Sequence, residues 1–77
     1  MNKAQLTAIL ASALEVGALN ADSSPENTAE WDSLGQLTIM SAIANATDGK
    51  SDDVAGLSNA ATIGEILDLL EKEGLIQ

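Results

Sequence analysis

The chain is 77 residues long, has a formal net charge of −9 from twelve acidic and three basic residues, and contains neither His nor Cys. That length holds one domain, here residues 1–77, and the missing side chains exclude Ser–His and Cys–His nucleophile pairs, zinc sites of N/S donors, iron–sulfur clusters and disulfides. An autonomous enzyme is therefore not expected.

Apolar residues make up 45% of the chain but aromatics only 1%, so the core must be built from Leu, Ile, Val, Met and Ala. The basic residues are scattered at Lys3, Lys50 and Lys72. Such a surface repels phosphate backbones and anionic lipids, which disfavours nucleic acid and membranes as partners and favours proteins with basic patches.

Lys3 followed by Leu6 to Leu14 and Ala11-Ser12-Ala13 has the outline of a secretory signal. Its periodicity is that of an amphipathic helix, with Gln5, Ala8, Ser12 and Glu15 on one face and Leu6, Ile9, Leu10, Ala13 and Leu14 on the other. We read a retained first helix, weakened near its end by Gly17. No apolar run approaches the ~20 residues that span a bilayer, so a soluble, cytoplasmic protein is the expectation.

From Gly17 to Asp32 the chain is rich in Asn, Asp, Ser and Thr, the composition of a long loop. Ser24-Pro25-Glu26 could start a short helical turn inside it, with Ser24 as cap. Trp31 closes the loop as a plug against the core. A second helix begins at Asp32-Ser33 and ends near Thr47, before a turn at Asp48-Gly49. Leu37, Ile39, Met40, Ile43 and Ala44 are its expected core face, and Leu34, Thr38, Ser41 and Asn45 an exposed stripe.

Ser51 to Leu57 reads as a short third helix, with Ser51 as cap and Asp52-Asp53 in the first turn. The last helix has a capping box in Thr62-Ile63-Gly64-Glu65, an Asp68/Lys72 pair four residues apart, and Gly74 to close it with Leu75 folding back. Ile63, Ile66, Leu67 and Leu70 face inward. No period-two alternation suggests a strand. The fold class is all-α, a small four-helix bundle of three main helices and a short third.

Glu30-Trp31-Asp32-Ser33-Leu34-Gly35 stands at the junction of the loop with the second helix. Asp32-Ser33-Leu34 resembles the attachment signature of the acyl carrier protein family. The likeness extends to the acidic, helical framework and to the Ser at the mouth of the second helix. The resemblance implies an acyl-carrier-like bundle in which Ser33 takes a covalent 4′-phosphopantetheine arm from coenzyme A. The arm would carry acyl or aminoacyl groups as thioesters, as in fatty acid, polyketide or specialised lipid biosynthesis. It further implies a phosphopantetheinyl transferase and acyl or aminoacyl ligases, synthases or transferases as partners. The expected state is a monomer.

A phosphodiester at a helix start is favoured by free N–H groups and the helix dipole. The cofactor would supply the chemistry that the absent His and Cys cannot. Asp32 or Ser33 could instead simply cap the helix. Asp32, Leu34, Gly35, Thr38 and Ser41 are the candidate partner contacts. Asp32 could equally be an ordinary solvated acid, Leu34 a lone surface apolar residue, and Gly35 tolerated variation in a first turn.

Asp48, Asp52 and Asp53 suggest an EF-hand, but Lys50, Asp53 and Asn59 fall at the wrong positions for a calcium loop, so no metal ligands are assigned. Fatty-acid carriers of this family bear acids two, five, eleven and twelve positions after the Ser, where this chain has Gly35, Thr38, Ala44 and Asn45. That departure, with Trp31 before the signature, is more like carriers of specialised pathways loaded by one dedicated enzyme. The alternative is an acidic helical interaction module with no prosthetic group.

Overall fold

A computed structural model describes all 77 residues. It is all-helical, with α1 at Lys3–Leu14, α2 at Ser33–Ala46, α3 at Ile63–Lys72 and two 3₁₀ turns, Lys50–Asp53 and Leu57–Asn59, between α2 and α3. No helix is long and apolar enough to cross a membrane.

Each helix starts on a local signal. In α1, Asn2 and Gln5 form a reciprocal capping box, with each backbone N–H donating to the other's side-chain oxygen at 2.8 Å. In α3, Thr62 Oγ1 accepts from the Glu65 N–H, and the Glu65 carboxylate accepts from the N–H groups of Thr62 and Ala61. These bonds satisfy donors that the first helical turn leaves free.

The ends differ. At the close of α3, Gly74 adopts a φ of 76°. The Leu75 N–H donates to the Leu70 carbonyl at 2.9 Å and the Gly74 N–H to that of Glu71 at 3.0 Å. This pair of bonds is a Schellman closure, and Gly suits its left-handed position. At the close of α1 the same pattern forms with Val16 donating to Ala11 and Glu15 to Ser12, but the left-handed residue is Glu15, at φ 60°. The helix therefore stops before Gly17, which has open space around its Cα.

The core joins Leu6, Leu10 and Leu14 of α1, Ile39 and Ile43 of α2, Ile63, Ile66, Leu67 and Leu70 of α3, with Trp31, Leu57 and Ile76. Every apolar residue expected to face inward on α3 does so. On α2 the expectation fails at Leu37, which is 65% exposed, whereas Ile39 and Ile43 are buried and Met40 and Ala44 half-buried. Leu37 lies at one edge of a broad apolar arc, and the neighbouring elements cover only the arc centred on Gly35, Ile39 and Ile43.

The expected third helix over Ser51 to Leu57 is replaced by the two 3₁₀ turns. Val54 between them is extended (ψ 109°) and Gly56 has φ 83°, so the α ladder cannot run through. Ser51 is not a cap. It is buried, and its N–H donates to Thr47 Oγ1 at 3.2 Å, tying the first turn to the end of α2.

The long loop packs down on the helices. The N–H groups of Ile63 and Gly64, at the start of α3, donate to the carbonyls of Ser23 (3.0 Å) and Ala21 (2.9 Å). A Cβ on Gly64 would lie 3.0 Å from the Ala21 oxygen, so this docking needs a small residue. The turn expected at Ser24 is present, with the Asn27 N–H donating to the Ser24 carbonyl at 3.2 Å. The capping runs the other way, from the Ser24 N–H to Asn27 Oδ1.

The expected Asp68–Lys72 pair does not form. Asp68 and Glu71 instead each lie 3.4 Å from Lys3 Nζ, joining α3 to α1. The Glu71 carboxylate foremost, and Asp68 with it, hold the Lys3 ammonium above the ordinary lysine value.

Candidate functional site

α2 begins where the loop leaves Trp31, and the first turn divides its duties between neighbours. Asp32 is the N-cap, with Oδ1 accepting from the Gly35 N–H at 2.9 Å. Its carbonyl accepts from the Gln36 N–H at 2.8 Å. Asp32 is thus the cap itself and not an acid beside one. It remains exposed, as does Ser33. Because Asp32 caps, the Ser33 hydroxyl makes no hydrogen bond within the chain, and the N–H groups of Ser33 and Leu34 also have no partner there. An exposed hydroxyl with two free amides beside it can be esterified without breaking any bond of the fold, and the two amides remain free to donate to an anionic product beside the Asp32 carboxylate.

Gly35 is buried, unlike its neighbours. A Cβ there would collide with the Glu30 carbonyl and come within 3.2 Å of Leu14 Cδ2. The glycine lets the loop backbone cross close over α2. It therefore offers no surface to a partner, which corrects its assignment as a contact residue.

The outer face of α2 carries Leu34, 73% exposed, and Leu37, 65% exposed, with Thr38, Ser41 and Asn45, all exposed. Ala13 of α1 and Ala42 join Leu34, Leu37 and Thr38 in lining a shallow open groove. From Ser33 to Thr47 no residue is charged. Acids flank this neutral face, with Glu30 and Asp32 before it and Asp48, Asp52 and Asp53 after it. The fourteen residues of α2 make it about 21 Å long.

Gln36 was not singled out from the sequence. Its Oε1 accepts from the Trp31 indole N–H at 2.7 Å, and its Nε2 donates to the Ser58 carbonyl at 3.2 Å. Trp31 itself is 1% exposed. The available signal was a buried indole, which needs an acceptor, with an amide five residues on. No group of three or more acidic, His or Cys side chains lies close enough to hold a metal ion.

Comparison with family models, curated proteins and solved structures finds no match for this chain. The functional reading therefore rests on its own residues.

Proposed function

We propose that the chain is a carrier of the acyl carrier protein type, with a 4′-phosphopantetheine arm on Ser33. The observation that carries the proposal is the division of labour at the start of α2. Asp32 caps the helix, and the Ser33 hydroxyl is left exposed and without a partner beside two free amides. If Ser33 were there only to cap, its hydroxyl would be expected to take a backbone N–H. Support also comes from the tripeptide Asp32-Ser33-Leu34 at this position, the acidic helical framework and the absence of catalytic His and Cys.

In attachment, Ser33 Oγ forms the phosphodiester with the pantetheine phosphate of coenzyme A as adenosine 3′,5′-bisphosphate leaves and the hydroxyl proton passes to the transferase. The bound arm supplies a terminal thiol that holds acyl or aminoacyl cargo as a thioester. The chain's own residues orient the attachment point through the Asp32 cap and present the uncharged outer face of α2 to ligases, synthases or transferases. The acids at either end of α2 steer enzymes with basic patches toward it.

The test is intact-mass measurement after incubation with coenzyme A and a phosphopantetheinyl transferase. The wild type gains one phosphopantetheine group and Ser33→Ala gains none. A wild type that no transferase modifies, or a Ser33→Ala variant that is modified, overturns the reading in favour of an interaction module without a prosthetic group.

A further inference from the structure

Asp and Ser are among the strongest N-capping residues, and they stand side by side at Asp32 and Ser33, so α2 has two possible starts. Only one of them leaves the Ser33 hydroxyl free. Resting on the carrier reading, we infer that Asp32 is a positioning residue for loading of the arm, because by holding the cap it keeps Ser33 inside the helix with its hydroxyl available.

Asp32 is extended, at φ −94° and ψ −161°, its Oδ1 accepts from the Gly35 N–H at 2.9 Å, and its carbonyl accepts from the Gln36 N–H at 2.8 Å. Ser33 is then the first helical residue. Were Ser33 the cap, α2 would start at Leu34, and Ser33 Oγ would accept from the N–H of Gly35 or Gln36, two or three residues on. The hydroxyl would be taken up by a bond of the fold. The residues on either side are held, Trp31 by burial and by its indole bond to Gln36 Oε1 at 2.7 Å, Gly35 by burial beneath the Glu30 carbonyl. Between them, Asp32 and Ser33 are both exposed, so a change from one start to the other is local to these two residues. The choice is therefore set by the capping strength of residue 32 and by the one helical bond, from the Gln36 N–H to the Asp32 carbonyl, that the longer start keeps. Without a capping side chain at position 32, Ser33 is the best cap left.

The test has two arms, and the first needs no enzyme. In urea unfolding of the full chain, Ser33→Ala should leave the midpoint unchanged or raised when Asp32 is present, because the hydroxyl has no partner to lose. In the Asp32→Ala background, where the hydroxyl has become the cap, Ser33→Ala should lower it. The same effect of Ser33→Ala in both backgrounds overturns the inference. The second arm follows, by intact mass, the initial rate at which a phosphopantetheinyl transferase loads Asp32→Asn and Asp32→Ala from coenzyme A. Both variants lack the charge, but Asn caps as well as Asp does. Loading slows with the fraction of molecules whose hydroxyl is free, so Asp32→Asn should load roughly fivefold faster than Asp32→Ala. Equal rates for the two variants would show that Asp32 serves loading through its charge alone, which overturns the inference and leaves the carrier reading intact. A wild type that gains no mass overturns the carrier reading itself, and this inference with it.

Discussion

The Glu30 carbonyl oxygen stands where a Cβ on residue 35 would be, so Gly35 is the contact through which the long loop closes onto α2. Ala is the better helix former by about 1 kcal/mol, yet here its methyl would push against backbone and against Leu14. Overpacking of this kind costs about 1–3 kcal/mol. Gly35→Ala is therefore expected to lower the midpoint of urea unfolding. Gly17→Ala, in open space, should leave the midpoint unchanged or raise it, with a gain in stability of up to about 1 kcal/mol. Equal effects from the two substitutions would mean that the loop does not press on α2.

Glu15 holds the left-handed position that closes α1, at φ 60°, while its bonding pattern is the one that Gly74 serves at the end of α3. A non-glycine residue there is strained by about 1–2 kcal/mol, partly offset by the unfolded-state entropy that glycine would bring. Glu15→Gly should stabilise the domain by roughly 0.5–1 kcal/mol and remove one negative charge from an over-charged surface. A loss of stability on denaturant unfolding would show that the Glu15 side chain makes a contribution larger than its strain.

The parts of the fold that were legible are those set by neighbours in the chain. Thr62 and Glu65 meet because they are three residues apart, and Ile63, Ile66, Leu67 and Leu70 share a face whatever covers it. The start of α2 at Asp32-Ser33 was equally local. What escaped depends on distant backbone. Whether Leu37 is buried turns on how far round α2 the other elements reach, and the need for Gly35 turns on the path of Glu30. The segment from Ser51 to Leu57 is too short to nucleate a helix without tertiary support. With Gly56 at positive φ it closes as 3₁₀ turns instead. Gln36 gained its role only once Trp31 and Ser58 were both placed.

A net charge of −9 on a chain with three lysines opposes its own compaction. One of those lysines, Lys3, already sits between Asp68 and Glu71, each at 3.4 Å, so most of the acids have no ion-pair partner. Screening relieves such repulsion, and at about 1 M salt the Debye length falls to ~3 Å. The melting temperature is expected to rise with added salt and with divalent cations in roughly the millimolar range, which associate with exposed carboxylates. Screening of the exposed Lys3 pairs acts in the opposite sense, but exposed pairs of this kind contribute little. A melting temperature that falls with both additives would mean that these pairs outweigh the self-repulsion.

Leu34 and Leu37 stand together on the outer face of α2, 73% and 65% exposed, on a surface with no charge from Ser33 to Thr47. No partner side chain can form an ion pair there, so steering falls to Glu30, Asp32 and the acids beyond Thr47. Charges of that kind chiefly set association rate and its salt dependence, whereas buried apolar contacts set dissociation. With an enzyme that loads or unloads the arm, Leu34→Ala and Leu37→Ala should each weaken binding through faster dissociation, with association nearly unchanged. Adding salt to the wild type should slow association and leave dissociation little altered. Thr38→Glu should not tighten the complex, because it would bring an unpaired charge into an apolar contact. A marked gain in affinity from Thr38→Glu, together with indifference to both leucine substitutions, would show that the partner binds another face.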